Sequence, residues 1–118
     1  MNKQKVNAEF EQIKTIVTGK FPKLGRVKLI RDPFMDNWHI HNPETYAACN
    51  PDSRKYEIIY AQALENEEKS LQRGIFWHEF GHQIQIHYLK KIPEDDEEAN
   101  KVIQKNFGVT LGERKCGE

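Results

Sequence analysis

The sequence predicts a small α+β domain, and three observations carry that prediction. Residues 6–20, 66–90 and 93–107 repeat apolar side chains at the spacing of a helix. Between the first two stretches lie three short strand-like runs, 27–30, 45–49 and 56–61, bounded by turn formers. At 118 residues the chain has room for one hydrophobic core and no second. Residues 1–111 are therefore expected to form a single minimal domain, with the polar stretch 112–118 a disordered tail.

In the first helix Val6, Phe10, Ile13 and Val17 make the core-facing stripe, and Gly19 with Phe21-Pro22 ends it. Val27-Lys28-Leu29-Ile30 reads as a short strand closed by Asp32-Pro33. Residues 32–44 are rich in turn formers yet carry Phe34, Met35, Trp38 and Ile40, which predicts an ordered loop packed over the core. The runs 45–49 and 56–61, joined by Asn50-Pro51-Asp52-Ser53, form a hairpin in a short, mainly antiparallel sheet.

A second helix starts at Asn66, an N-cap followed by Glu67 and Glu68 at the positive end of the dipole. Its apolar residues form two stripes. One holds Trp77, Phe80, Ile84 and Tyr88; the other holds Leu71, Ile75, His78, His82, Ile86 and Leu89. A helix apolar on two sides is central and mostly buried, leaving Gln72, Glu79, Gln83, His87 and Lys90 as a narrow polar arc. Gly74 and Gly81 cost roughly 1 kcal/mol each relative to alanine, which predicts close approach by another backbone, at Gly81 beside the histidines. Lys90 and Lys91 suit the helix end, and Pro93 followed by five acids, Glu94 to Glu98, starts a last helix with Ala99, Val102, Ile103 and Phe107 on its apolar face. Gly108 ends that helix.

Lysine plus arginine equals aspartate plus glutamate at 18 each, so no net field favours nucleic acid or an anionic membrane as partner. The polar start Met1-Asn2-Lys3-Gln4-Lys5 predicts no signal peptide, and no apolar run is long enough to span a bilayer. Cys49 and Cys116 fit no zinc or redox spacing, which agrees with a reducing, cytoplasmic location.

The chemistry concentrates in His78-Glu79-Phe80-Gly81-His82, an H-E-x-x-H motif. On a helix the two histidines are offset by only about 40°, so both imidazoles can reach one metal ion, for which zinc is the natural choice. Glu79 beside them can act as a general base towards water that the metal has acidified. His87 lies about 140° round the helix from His82 and reads as a surface residue. His39-Ile40-His41 puts two histidines on one side of an extended segment, most simply a loop pair without metal. Tyr46, Tyr60 and Tyr88 are each candidates to polarise a carbonyl, with packing as their default role.

The motif resembles the zincin metallopeptidases, and more narrowly the gluzincins, in which an acidic ligand on a following helix joins the two histidines. Asp96-Glu97-Glu98-Ala99-Asn100 is similar to the family's acid, two residues, alanine, then aspartate or asparagine. The resemblance implies a zincin-like domain holding one Zn2+ per chain through His78, His82 and Asp96. Asn100 would then lie behind a ligand histidine, and the strand before the motif, through Ile58 and Tyr60, would bind an extended peptide or protein substrate. Gluzincins use glutamate where this chain has aspartate, and reach is a second constraint. A helix running on to Lys90 leaves His82 roughly 12 Å from its end, while Asp96 sits only about 5 Å into the next helix. Either the helix stops early, or Glu97 or Glu98 serves instead; Asp96 fits the inward face set by Ala99 and Ile103. The implied activity is peptide hydrolysis, and the alternative is a zincin-fold protein-binding module with structural or vestigial zinc. Arg114-Lys115-Cys116-Gly117 is faintly similar to the inhibitory cysteine segments of zinc proproteases, with a tail thiol the simpler reading.

Overall fold

The structure, a computed structural model, describes residues 2–49, 55–91 and 95–111. The order is α1 (Asn2–Lys20), a 3₁₀ turn (Pro22–Arg26), β1 (Lys28–Arg31), α2 (Pro33–His41), β2 (Ala47–Cys49), β3 (Glu57–Tyr60), a second 3₁₀ turn (Gln62–Asn66), α3 (Lys69–His87) and α4 (Asp96–Phe107). This is a small α+β domain with four helices and a three-stranded sheet. The turn expected at Asn50-Pro51-Asp52-Ser53, the helix-start residues Pro93 and Glu94, and the tail 112–118 with Cys116 lie outside the described residues.

The sheet has the order β1-β3-β2. It is mixed rather than mainly antiparallel, which corrects the expectation from sequence: β2 and β3 pair antiparallel, while β1 runs parallel to β3 on its other side. The hairpin rule concerns only strands joined by a short connection, whereas α2 and β2 intervene between β1 and β3. Side chains alternate across β3. Ile58 and Tyr60 enter the main core with α1, α3 and Ile103 of α4, while Ile59 faces a small second cluster with Met35 of α2 and Ala61.

Residues 33–41 are a helix, not a loop. Asp32-Pro33, a strand stop in sequence, is also a helix start: Asp32 Oδ1 accepts from the Phe34 N–H at 2.8 Å and Pro33 occupies the first turn. Met35 is buried, but Phe34, Trp38 and Ile40 are exposed, so the apolar content overstated what this segment packs.

α3 starts at Lys69 instead of Asn66, which closes the second 3₁₀ turn. The Gln72 side chain ties that turn to the helix by donating to the carbonyls of Leu64 and Glu67. Its polar arc is not solvated: Gln72, Glu79, Gln83 and His87 are all buried. They are polar because they face hydrogen-bonding backbone and rings of other elements. Gln83 Nε2 donates to the Glu57 carbonyl at 3.1 Å, and His87 stacks on Tyr56 with ring centroids 3.7 Å apart, so His87 is no surface residue. Burial first, and the charge of Lys90 second, lower the basicity of the His87 ring.

α3 ends at His87. The Lys91 N–H closes back on the Gln85 carbonyl at 2.9 Å, and Lys90 takes a positive φ of 55°. α4 is capped by Asp95, whose Oδ1 accepts from the Glu98 N–H at 2.9 Å, and it ends at Gly108 in the left-handed conformation. Among the described residues, no helix is long and apolar enough to cross a membrane.

Candidate metal centre

The site is built where α3 and α4 lie against each other. His78, Gly81, His82 and Gln85 recur on α3 at helical spacing, and Asp96, Ala99, Asn100 and Ile103 do so on α4. Gly81 lets the two backbones meet: a Cβ there would stand 2.5 Å from the Ala99 carbonyl oxygen and 3.0 Å from the Ala99 Cβ. The sequence-level expectation of a close neighbour at Gly81 thus identifies α4 as that neighbour.

His78 Nε2, His82 Nε2 and Asp96 Oδ1 converge. The two imidazole nitrogens are 3.1 Å apart, and the carboxylate oxygen lies 3.1 Å from the first and 2.8 Å from the second. Both histidines are almost fully buried, and Asp96 is partly exposed.

The far nitrogens fix the ring orientations and the ligand tautomer. His78 Nδ1 donates to Asn100 Oδ1 at 2.6 Å, and His82 Nδ1 donates to Gln85 Oε1 at 2.7 Å. The Gln85 amide cannot be turned round, because its Nε2 donates to the Asp95 carbonyl and to Glu98 Oε1. With Nδ1 engaged in these bonds, Nε2 is the ring nitrogen each histidine has left to offer a metal. Two such nitrogens and a carboxylate oxygen then point into one space, an arrangement suited to a cation between them.

These atoms form a group that could hold a metal ion. Tetrahedral ligands at zinc distances stand about 3.3 Å apart, a few tenths of an ångström more than the separations here, so the spacing would suit an ion of that size.

Of the three acids that sequence left open, only Asp96 joins the group. Glu97 is exposed and pairs with Lys101, and Glu98 is taken by Lys91 and Gln85, whose hydrogen bonds hold its carboxyl below the usual range. The early end of α3 removes the reach problem: from His82 to His87 is only about 7.5 Å of helix, and Asp96 opens α4.

Glu79 is buried, 1% exposed. Its Oε1 and its backbone oxygen lie 3.5 and 3.6 Å from Cys49 Sγ, the last residue of β2. Burial first and the Glu79 charge second push the Cys49 thiol well above its ordinary range.

Other candidates fall elsewhere. Ile58 and Tyr60 lie on the central strand, paired on both sides and turned into the core, so neither its edge nor their side chains are open to a substrate. His39 and His41 are helical, not extended; His39 Nδ1 bonds the Thr45 carbonyl and His41 is exposed. The Tyr60 and Tyr46 hydroxyls donate to Glu65 and Glu67, and that of Tyr88 accepts from the Lys23 N–H.

Two contributors escaped the sequence reading. Gln85 was reachable from spacing, three residues beyond His82 and seven beyond His78 on the same face. Cys49 was not, since a contact between β2 and α3 leaves no local signal. Comparison of the chain with family models, with curated proteins and with solved structures gave no match in any of the three.

Proposed function

We propose that this protein is a zinc-dependent metallopeptidase built as a minimal zincin-like domain. The observation that supports this best is the convergence of His78 Nε2, His82 Nε2 and Asp96 Oδ1, with Asn100 and Gln85 holding each histidine in the ligand tautomer. When bound, zinc supplies Lewis acidity, acidifying water and polarising a carbonyl. The ligands would be His78, His82 and Asp96, and Asn100 and Gln85 raise the basicity of the imidazoles by accepting their Nδ1 protons. Glu79 removes a proton from the attacking water and returns it to the leaving amine. An extended peptide would pair with β2, an outer strand whose last residue touches Glu79, rather than with β3.

Glu79→Gln tests the reading. The variant is expected to keep stoichiometric zinc and to lose cleavage of a denatured protein by about 10²-fold or more. Unchanged cleavage would remove Glu79 from the chemistry.

A second reading has one observation in its favour: the exposed Phe34, Trp38 and Ile40 on α2 suit a protein-binding module that keeps zinc for stability and cleaves nothing. Stoichiometric zinc without hydrolysis of denatured proteins selects it.

A further inference from the structure

Glu79 is held from the sheet side by a relay that begins on β3. Gln83 is fully buried one turn beyond Glu79, and both of its N–H groups are used: Nε2 donates to the Glu57 carbonyl at 3.1 Å and to Cys49 Sγ at 3.4 Å. Its Oε1 has no hydrogen-bond partner among the described residues. A buried amide that leaves its acceptor unmatched is oriented by its donors, and the reversed amide would set its oxygen against the Glu57 carbonyl. The sulfur therefore accepts from Gln83, which leaves its own proton to point away, where Glu79 offers two acceptors, Oε1 at 3.5 Å and the backbone oxygen at 3.6 Å; the charged carboxylate is the stronger of the two.

We propose that Cys49 is a positioning residue for Glu79: its thiol, braced by Gln83, donates to the carboxylate and fixes the orientation in which that carboxylate meets water. This rests on the reading of Glu79 as general base. Only a protonated thiol can play the part, and the burial and negative charge that raise its pKa keep it protonated. The same surroundings argue against a nucleophilic or redox-sensing thiol, which needs a low pKa and an electropositive setting. Cys49 also stands outside the group formed by His78, His82 and Asp96.

The contact is read without substrate by alkylating the full chain with iodoacetamide at pH 8. Mass spectrometry follows each cysteine, with Cys116 in the same molecule as reference. Glu79→Gln removes the adjacent charge, and Cys49 is expected to react several-fold to about tenfold faster, since each unit of pKa is tenfold in thiolate. Glu65→Gln, which neutralises a carboxylate bound to Tyr60, leaves the Cys49 rate unchanged. Equal Cys49 rates in the wild type and Glu79→Gln overturn the proposal, whether or not the protein is a peptidase.

Turnover provides the second readout. Cys49→Ser, which keeps a donor, stays within about threefold of wild-type kcat, while Cys49→Ala loses about tenfold in kcat with KM and zinc content unchanged. Wild-type kcat in Cys49→Ala also overturns it. If the wild type cleaves nothing, the peptidase reading fails and alkylation still decides the contact; if Cys49→Ala does not fold, Cys49→Ser and alkylation decide it.

Discussion

Gly81→Ala sets two effects of opposite sign against each other at the centre of the site. In an unobstructed helix interior, alanine in place of glycine stabilises by about 1 kcal/mol through propensity alone. At Gly81 the new Cβ would lie 2.5 Å from the Ala99 carbonyl oxygen, a backbone atom that cannot rotate aside as a flexible side chain can. Relief to ordinary contact near 3.4 Å requires α4 to retreat by about 0.9 Å. Overpacking of this kind costs about 1–3 kcal/mol, enough to cancel the propensity gain and reverse it. Asp96 lies three residues before Ala99 on the same helix and moves with it, whereas metal–ligand distances tolerate only about 0.2 Å. Gly81→Ala is therefore expected to lower the melting temperature and to weaken zinc binding by at least about 10–100-fold, the loss typical of disturbed support around metal ligands. Circular dichroism melts and zinc competition against a chromophoric chelator measure the two effects. Gly19→Ala is the control, since a Cβ there meets nothing within 4 Å; its stability should hold or rise. A Gly81→Ala protein that melts higher than wild type and binds zinc equally well would refute the close approach of α3 and α4 as the basis of the site.

Asn100→Ala and Gln85→Ala should each weaken zinc by about 10–100-fold in the same competition assay, because each leaves a ligand imidazole without its Nδ1 acceptor; unchanged affinity in both would mean the ligand tautomers are set by something else. His87 is buried and held below its ordinary basicity, so the unfolded chain takes up the extra proton as pH drops below about 6.5, and stability falls with pH until the folded group also titrates. His87→Phe keeps a ring against Tyr56 but not the titration, so its melting temperature should gain on wild type between about pH 7 and pH 5; a constant difference over that range excludes His87 as the source. Zinc at a thousandfold excess over its Kd should stabilise the fold by about 4 kcal/mol, and chelator should remove the gain. A melting temperature indifferent to both would identify the three converging groups as a metal-free structural triad.

Helix period exposed α1, α3 and α4 in the sequence because each buries a regular stripe. It missed α2, whose only fully buried large residue is Met35 and whose start signal, Asp32-Pro33, doubles as a strand stop. The direction of β1 was not legible, since strand composition carries no polarity and the partner of β1 is fixed by a non-local pairing. In the site, His78, His82 and Asn100 were singled out from spacing and family likeness, and Asp96 stood out from Glu97 and Glu98 by family register and by its inward face. The point at which α3 stops settles which acid can reach. That stop depends on the backbone closure of Lys91 onto Gln85, with Lys90 in a positive-φ conformation that a lysine does not announce.

On α3 hydrophilicity was taken for exposure at His87, which is buried against Tyr56. Glu79 and Gln83 on the same polar arc are hidden too, because β2 and β3 supply Cys49 and the Glu57 carbonyl as partners. This divides the helix by function. On the proposed reading, the side with His78, Gly81, His82 and Gln85 answers to α4 and would govern whether a metal is held, while the side with Glu79 and Gln83 answers to the sheet and would govern how the carboxylate is presented. Consecutive residues on a helix are turned by about 100°, so His78 and Glu79 belong to different interfaces although they are neighbours in sequence. Disturbance of α4 should therefore strip metal while leaving the thiol contact of Glu79 intact, and disturbance of β2 should spoil the base in a protein that still binds zinc. Gly81→Ala should lose zinc affinity and turnover together, whereas Cys49→Ala should lose turnover alone.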